Sequence, residues 1–129
     1  MITLIERGEA LARIQGEGGG SGCLLCALLA GRLGHVWTLH HDERVVVLLP
    51  RYVTRWGHLL LVLRPHITNV VQADPDDWLH LCALARRAAA AADQVVRPRR
   101  GYLASTGSSG GELLHDQYTR AWARTAALR

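Results

Sequence analysis

The sequence predicts an α+β fold built on an antiparallel sheet of about five strands, with one short N-terminal helix and one long helix. Three stretches carry that expectation. Residues 59–63 are five consecutive aliphatics, opened by Gly57-His58 and closed by Arg64-Pro65-His66. A short apolar run between turn formers reads as a buried strand, and Pro65 ends it by removing a ladder donor. Residues 35–41 and 44–50 are two further apolar runs joined through Asp42 and Glu43, which reads as a hairpin although Asp-Glu is not a favoured two-residue turn. Residues 74–96 repeat apolar side chains at steps of three and four, the period of an amphipathic helix. Hairpins dominate over strand–helix–strand alternation, which favours an antiparallel sheet.

The remaining elements follow in order. Residues 6–14 suit a short amphipathic helix with Leu4, Leu11 and Ile14 inward. Residues 16–22 hold five Gly and one Ser, a flexible break. Residues 1–21 are therefore expected to be an N-terminal extension with a Gly-rich linker, and 22–129 the folded domain. After Cys23, Leu24 to Ala30 suits one or two helical turns ended by Gly31. The long helix opens at Asp74, a good N-cap, with Pro75 in the first turn and Asp76 and Asp77 complementing the helix dipole. Trp78, Cys82, Ala85, Ala89 and Ala92 mark its apolar stripe, widened by Leu81, Leu84 and Ala88. His80 lies off that stripe and is expected to face solvent. Residues 97–100 end the helix, 101–105 form a strand, 106–111 a Gly/Ser turn, and 113–122 a last extended run.

With 129 residues the chain is long enough for one domain with a core and too short for two. No apolar run reaches the ~18 to 20 residues of a membrane span. The first residues lack the basic flank and apolar core of a signal peptide, so the expected location is the cytoplasm. All 15 basic residues are Arg, giving a formal charge of +4. Compositional bias explains this most simply, and the Arg are scattered rather than blocked. Dedicated nucleic-acid binding is therefore not expected, whereas a phosphate-bearing small ligand remains open. Of three Cys, Cys82 suits a small apolar helix position. Cys23 and Cys26 form a Cys-x-x-Cys pair, which in a reducing compartment reads as metal or redox chemistry.

Four residues are candidate metal ligands: Cys23, Cys26, His66 and His115. Two Cys and two His are a common structural zinc set, but their spacing here is not that of a zinc finger. His58 and His66 lie an even number of residues apart, so an extended strand projects them to one side of the sheet. The plainer reading is that both are polar residues at the frayed ends of a core strand.

The order of these motifs resembles the histidine triad (HIT) superfamily. The resemblance rests on Cys23-Leu-Leu-Cys26, then Gly57-His58-Leu-Leu-Leu-Val-Leu-Arg-Pro-His66, a long helix, and a Gly-rich turn before His115, over residues 22–121. It implies a HIT-like fold, a homodimer that joins sheets and packs long helices, and a structural zinc on Cys23, Cys26, His66 and His115. Four protein ligands leave no open coordination position.

The resemblance also implies a triad of three His alternating with apolar residues, the middle one attacking a nucleotide α-phosphate. An imidazole suits that step because it is nucleophilic and partly neutral near pH 7. Here the stretch is His115-Asp116-Gln117-Tyr118-Thr119-Arg120. Gln117 stands at the nucleophile's position and Thr119 at the third His, and an amide does not titrate usefully. Glu112 replaces a Ser or Thr common three residues before the first His, putting an anion where phosphate binds. A register shifted by two would make His115 the nucleophile and Gln117 the third position, but would take the fourth ligand from zinc.

Three functions remain open. One is a zinc protein without the family's hydrolase chemistry that binds a nucleotide or other small ligand through His58, Gln117, Thr119 and Arg120. Another is an enzyme with rebuilt chemistry, drawing catalytic groups from His58, Glu112, Asp116, Gln117, Tyr118 and Arg120. The last is a scaffold or dimerisation partner. Trp37, Trp56 and Trp122 are expected to fill core or interface.

Overall fold

Alternation along the central strands builds a core on both sides of one sheet. The structure is a computed structural model that describes residues 4–17, 24–32, 34, 36–50, 57–67, 70–105 and 118–124. The helices are α1 (Arg7–Glu17), α2 (Leu24–Leu29) and α3 (Pro75–Val96). The strands are β1 (Trp37–His41), β2 (Val45–Leu49), β3 (Leu59–Leu63), β4 (Arg100–Ser105) and β5 (Tyr118–Arg124). They form one antiparallel sheet in the order β1-β2-β3-β5-β4. The five-strand α+β expectation is met.

Both faces of β2 and β3 are covered, which is why their sequences are continuously apolar. Val45, Val47, Leu59, Leu61 and Leu63 pack against Leu81, Leu84 and Ala85 of α3. The alternate residues Val46, Leu48 and Val62 pack with Leu25 of α2. Leu61 and Val62 are fully buried on opposite faces. Each such side chain contributes roughly 1.5 to 3 kcal/mol by leaving water. A one-residue slip of β3 would exchange the two sets, so this packing fixes its register.

Helix α3 begins as its sequence indicates. The Asp74 carboxylate accepts from the N–H groups of Asp76 at 2.9 Å and Asp77 at 3.1 Å, with Pro75 in the first turn. It ends at Arg97, a left-handed residue with φ 50° and ψ 57°. That conformation usually falls to Gly, and here a bulkier residue carries it.

Several local expectations change. Helix α1 runs on to Glu17, through Gly16 and into the stretch read as a flexible break. Leu4 is 93% exposed, so it does not face inward. The buried line of α3 runs through Leu81, Leu84 and Ala85, with Trp78, Ala88 and Ala92 beside it, while Ala89 is exposed. Trp37 is 67% exposed and fills no core. The last strand, Tyr118–Arg124, runs two residues past the expected end at 122, and positions 113–117 of the expected run lie outside the described residues. The turn over 106–111 and the side chains of Leu11, Ile14, Trp56 and Trp122 lie outside the described residues. Among the described residues, no helix is long and apolar enough to cross a membrane.

Candidate functional site

The two described members of the predicted ligand set meet. Buried Leu25 anchors α2 against the sheet, with Leu28 and Leu29 beside it, and Cys26 lies between these anchors. Gly31, at φ 73°, ends that helical segment as its sequence indicates. His66 follows β3 after Arg64 and Pro65. Its Nδ1 lies 3.2 Å from the Cys26 Sγ, across forty residues of chain. A tetrahedral zinc with Zn–S near 2.3 Å and Zn–N near 2.1 Å sets its S and N ligands about 3.6 Å apart. The pair thus fits one edge of such a site after a small opening. Cys23 and His115 lie outside the described residues. Among the described residues, no group of three or more His, Cys, Asp or Glu could hold a metal ion.

His58 immediately precedes β3, after Gly57 at φ 77°. Gly57 supplies the left-handed backbone that lets the chain turn into the strand. His58 is 7% exposed, so it is not a frayed, solvated end residue. His66 is exposed at the other end of β3. The five residues of β3 lie between them, so the buried imidazole and the Cys26–His66 contact mark opposite ends of one strand.

The register divides the remaining candidates by face. Thr119 pairs with Leu61, on the face that α3 covers. Tyr118 pairs with Val62 and Arg120 with Leu60, on the α2 face. Directly opposed residues of an antiparallel pair share a face. Thr119 and Arg120 are successive positions of β5, at the register positions of Leu61 and Leu60. Glu112, Asp116 and Gln117 lie outside the described residues.

A third cluster had no signal in the sequence. Asp42 closes the β1–β2 turn. Its Oδ1 accepts from the Arg44 and Val45 N–H groups, both at 2.8 Å. Its Oδ2 meets His40 Nε2 at 2.8 Å and His80 Nε2, on α3, at 2.7 Å. His80 is thus tied to the hairpin and does not simply face solvent. Partial burial pushes the Asp42 carboxyl up. Hydrogen bonds from His40, His80, Val45 and Arg44 outweigh that and hold it well below the usual carboxylate range. Arg64 Nε also donates to the Asp42 carbonyl, and Arg44 pairs with Asp77 at 3.4 Å. The side-chain cap explains how Asp-Glu serves as a turn here. The histidine partners could not be read from spacing, since His80 lies thirty-eight residues from Asp42.

Comparison with known proteins agrees with the fold. No family model matches the chain. It is 27% identical over 93 residues to an uncharacterized HIT-like protein of Saccharolobus solfataricus, covering 71% of this chain and 66% of that relative. A hypothetical histidine triad nucleotide-binding protein of Sulfolobus tokodaii superposes with a TM-score of 0.70 at 20% identity, over 80% of this chain and 69% of that one. A Zn-bound histidine triad family protein of Mycobacterium smegmatis gives 0.69 at 18% identity, over 83% and 78%. The sheet order, the long crossover helix and these superpositions define the HIT fold. In sequence the chain is similar to that HIT-like relative.

Proposed function

We propose that this is a HIT-like zinc protein that has given up nucleotidyl-histidine chemistry and binds a nucleotide or similar small ligand in the inherited cleft. The observation that carries the zinc part is the 3.2 Å approach of Cys26 Sγ to His66 Nδ1. Both are donors that zinc takes, and their adjacency gives the Cys-x-x-Cys pair of the sequence a reason. Cys23 and His115 would complete the set. The bound zinc would be a structural cross-link between α2, β3 and the β5 approach. A zinc-bound relative with the same fold supports the assignment.

The loss of chemistry rests on Gln117 and Thr119, which lack a nucleophilic imidazole. His58 remains, buried at the start of β3, as a ligand-facing group. The protein is a cytoplasmic homodimer on this reading. Titration of the purified protein with AMP, alongside an assay of adenosine phosphoramidate, tests it. Binding without turnover is expected. Turnover abolished in a folded His115→Ala variant would instead make His115 the nucleophile. A second reading, rebuilt acid–base chemistry, draws on the register that puts Tyr118 and Arg120 on the α2 face. It requires turnover that depends on Tyr118 and survives His115→Ala.

A further inference from the structure

The last residue of β3, Leu63, pairs with Val45 of β2. The ladder then goes one step further, because the Arg64 N–H donates to the Arg44 carbonyl at 2.9 Å. There it stops, since Pro65 has no N–H to offer. His66 follows at once, with its Nδ1 3.2 Å from the Cys26 Sγ. Between Arg64 and His66 stands only Pro65, whose ring fixes its own φ near −65°. Where Arg64 sits therefore decides where His66 can reach.

Arg64 is held twice. Besides the main-chain bond, its Nε donates to the Asp42 carbonyl in the β1–β2 turn. That turn is closed by its own backbone, through the Asp42 N–H to the Val45 carbonyl at 3.0 Å. Arg44 ties the same turn to α3 by its pair with Asp77. Arg64 is exposed, and a long side chain that merely ended a strand would be left to water, because fixing it costs rotamer entropy. Charge gives no reason for it, since two thiolates and two neutral imidazoles would leave a zinc ion neutral. What the guanidinium contributes is position. Resting on the zinc reading above, we propose that Arg64 is a positioning residue for the metal site. Bound to the turn by main chain and side chain together, it holds Pro65 and His66 at the reach from which His66 meets Cys26.

The test compares the full chain with Arg64→Met, which keeps the stem and removes the donors. Zinc affinity is read by competition with a chromophoric chelator. Absorption of the cobalt-loaded protein reports the ligand geometry, which a loss of stability alone does not move. In Arg64→Met zinc should be held about 5-fold more weakly, the fold-change of one net hydrogen bond, and the cobalt–thiolate absorption should change. Asp42→Ala loses side-chain bonds but keeps the main-chain carbonyls that Arg64 uses. It should be the less stable variant in urea and still hold zinc as the wild type does. Arg64→Met with wild-type zinc affinity and cobalt spectrum would overturn the role of Arg64 and leave the zinc site standing. Asp42→Ala that loses zinc as readily as Arg64→Met would also overturn it, since destabilisation would then explain both. Wild-type protein that takes up neither ion removes the zinc reading and this role with it.

Discussion

Two places tie the sheet to a helix, and they do so with opposite chemistry. At the β1–β2 turn, Asp42 takes two backbone N–H groups and two imidazoles, and so links the hairpin to α3 through oxygen and nitrogen alone. At the far end of β3, Cys26 and His66 bring a sulfur and an imidazole together between α2 and the strand. The first set is complete as hydrogen bonding. The second is made of soft, metal-type donors whose pairing gains most when an ion is shared between them. One junction is expected to respond to acid, the other to chelators.

That contrast can be broken by mutation. The largest effect is expected at the Cys26–His66 contact. Structural zinc carries folding free energy on the order of 10 kcal/mol in small zinc domains, although a preformed sheet will feel only part of it. Cys26→Ser should lower the melting temperature by roughly ten degrees or more, on the order expected for several kcal/mol in a domain this size. A strong chelator should mimic the variant and then have no further effect on it. Differential scanning fluorimetry with and without chelator reads both.

Asp42→Ala comes next. It strands two turn N–H groups and removes the tether to His80, which should cost about 2 to 3 kcal/mol in urea unfolding. Chelator sensitivity should stay as in the wild type, which separates the two junctions. The Asp42 carboxyl sits below its usual range, so its contribution is full above the unfolded value of about 3.9 and fades as pH falls through the folded one. Wild type should therefore lose more stability between about pH 5 and pH 2 than Asp42→Asn does. Equal losses would show that Asp42 does not carry this acid sensitivity.

Smaller effects sharpen the picture. His80→Ala should cost about 1 kcal/mol, one hydrogen bond's worth. Arg44→Ala breaks a partly exposed pair to Asp77 and should cost under about 1 kcal/mol. If Arg44 mattered more than His80, the hairpin would be held mainly by charge rather than by the Asp42 carboxylate.

Much of the fold was legible because it depends on local signals. The Leu59–Leu63 run, the Asp74-Pro75 helix start and Gly31 each appear where the residues indicate. The Cys26–His66 contact was legible only through motif order, since nothing in the spacing of the two residues predicts that they touch. Asp42 was read as a weak turn because its strength lies in side-chain hydrogen bonds, one of them to a histidine far along the chain. The faces of Thr119 and Arg120 depend on how β5 registers with β3, and a one-residue shift would exchange them.

The central claim is a metal shared by Cys23, Cys26, His66 and His115. Elemental analysis of the purified protein measures it directly. Expected is about one zinc per chain, lost in Cys26→Ser, with tetrahedral coordination and Zn–S distances of about 2.3 Å in X-ray absorption. Protein that carries no zinc, takes none up on addition, and melts at the same temperature as Cys26→Ser would contradict it.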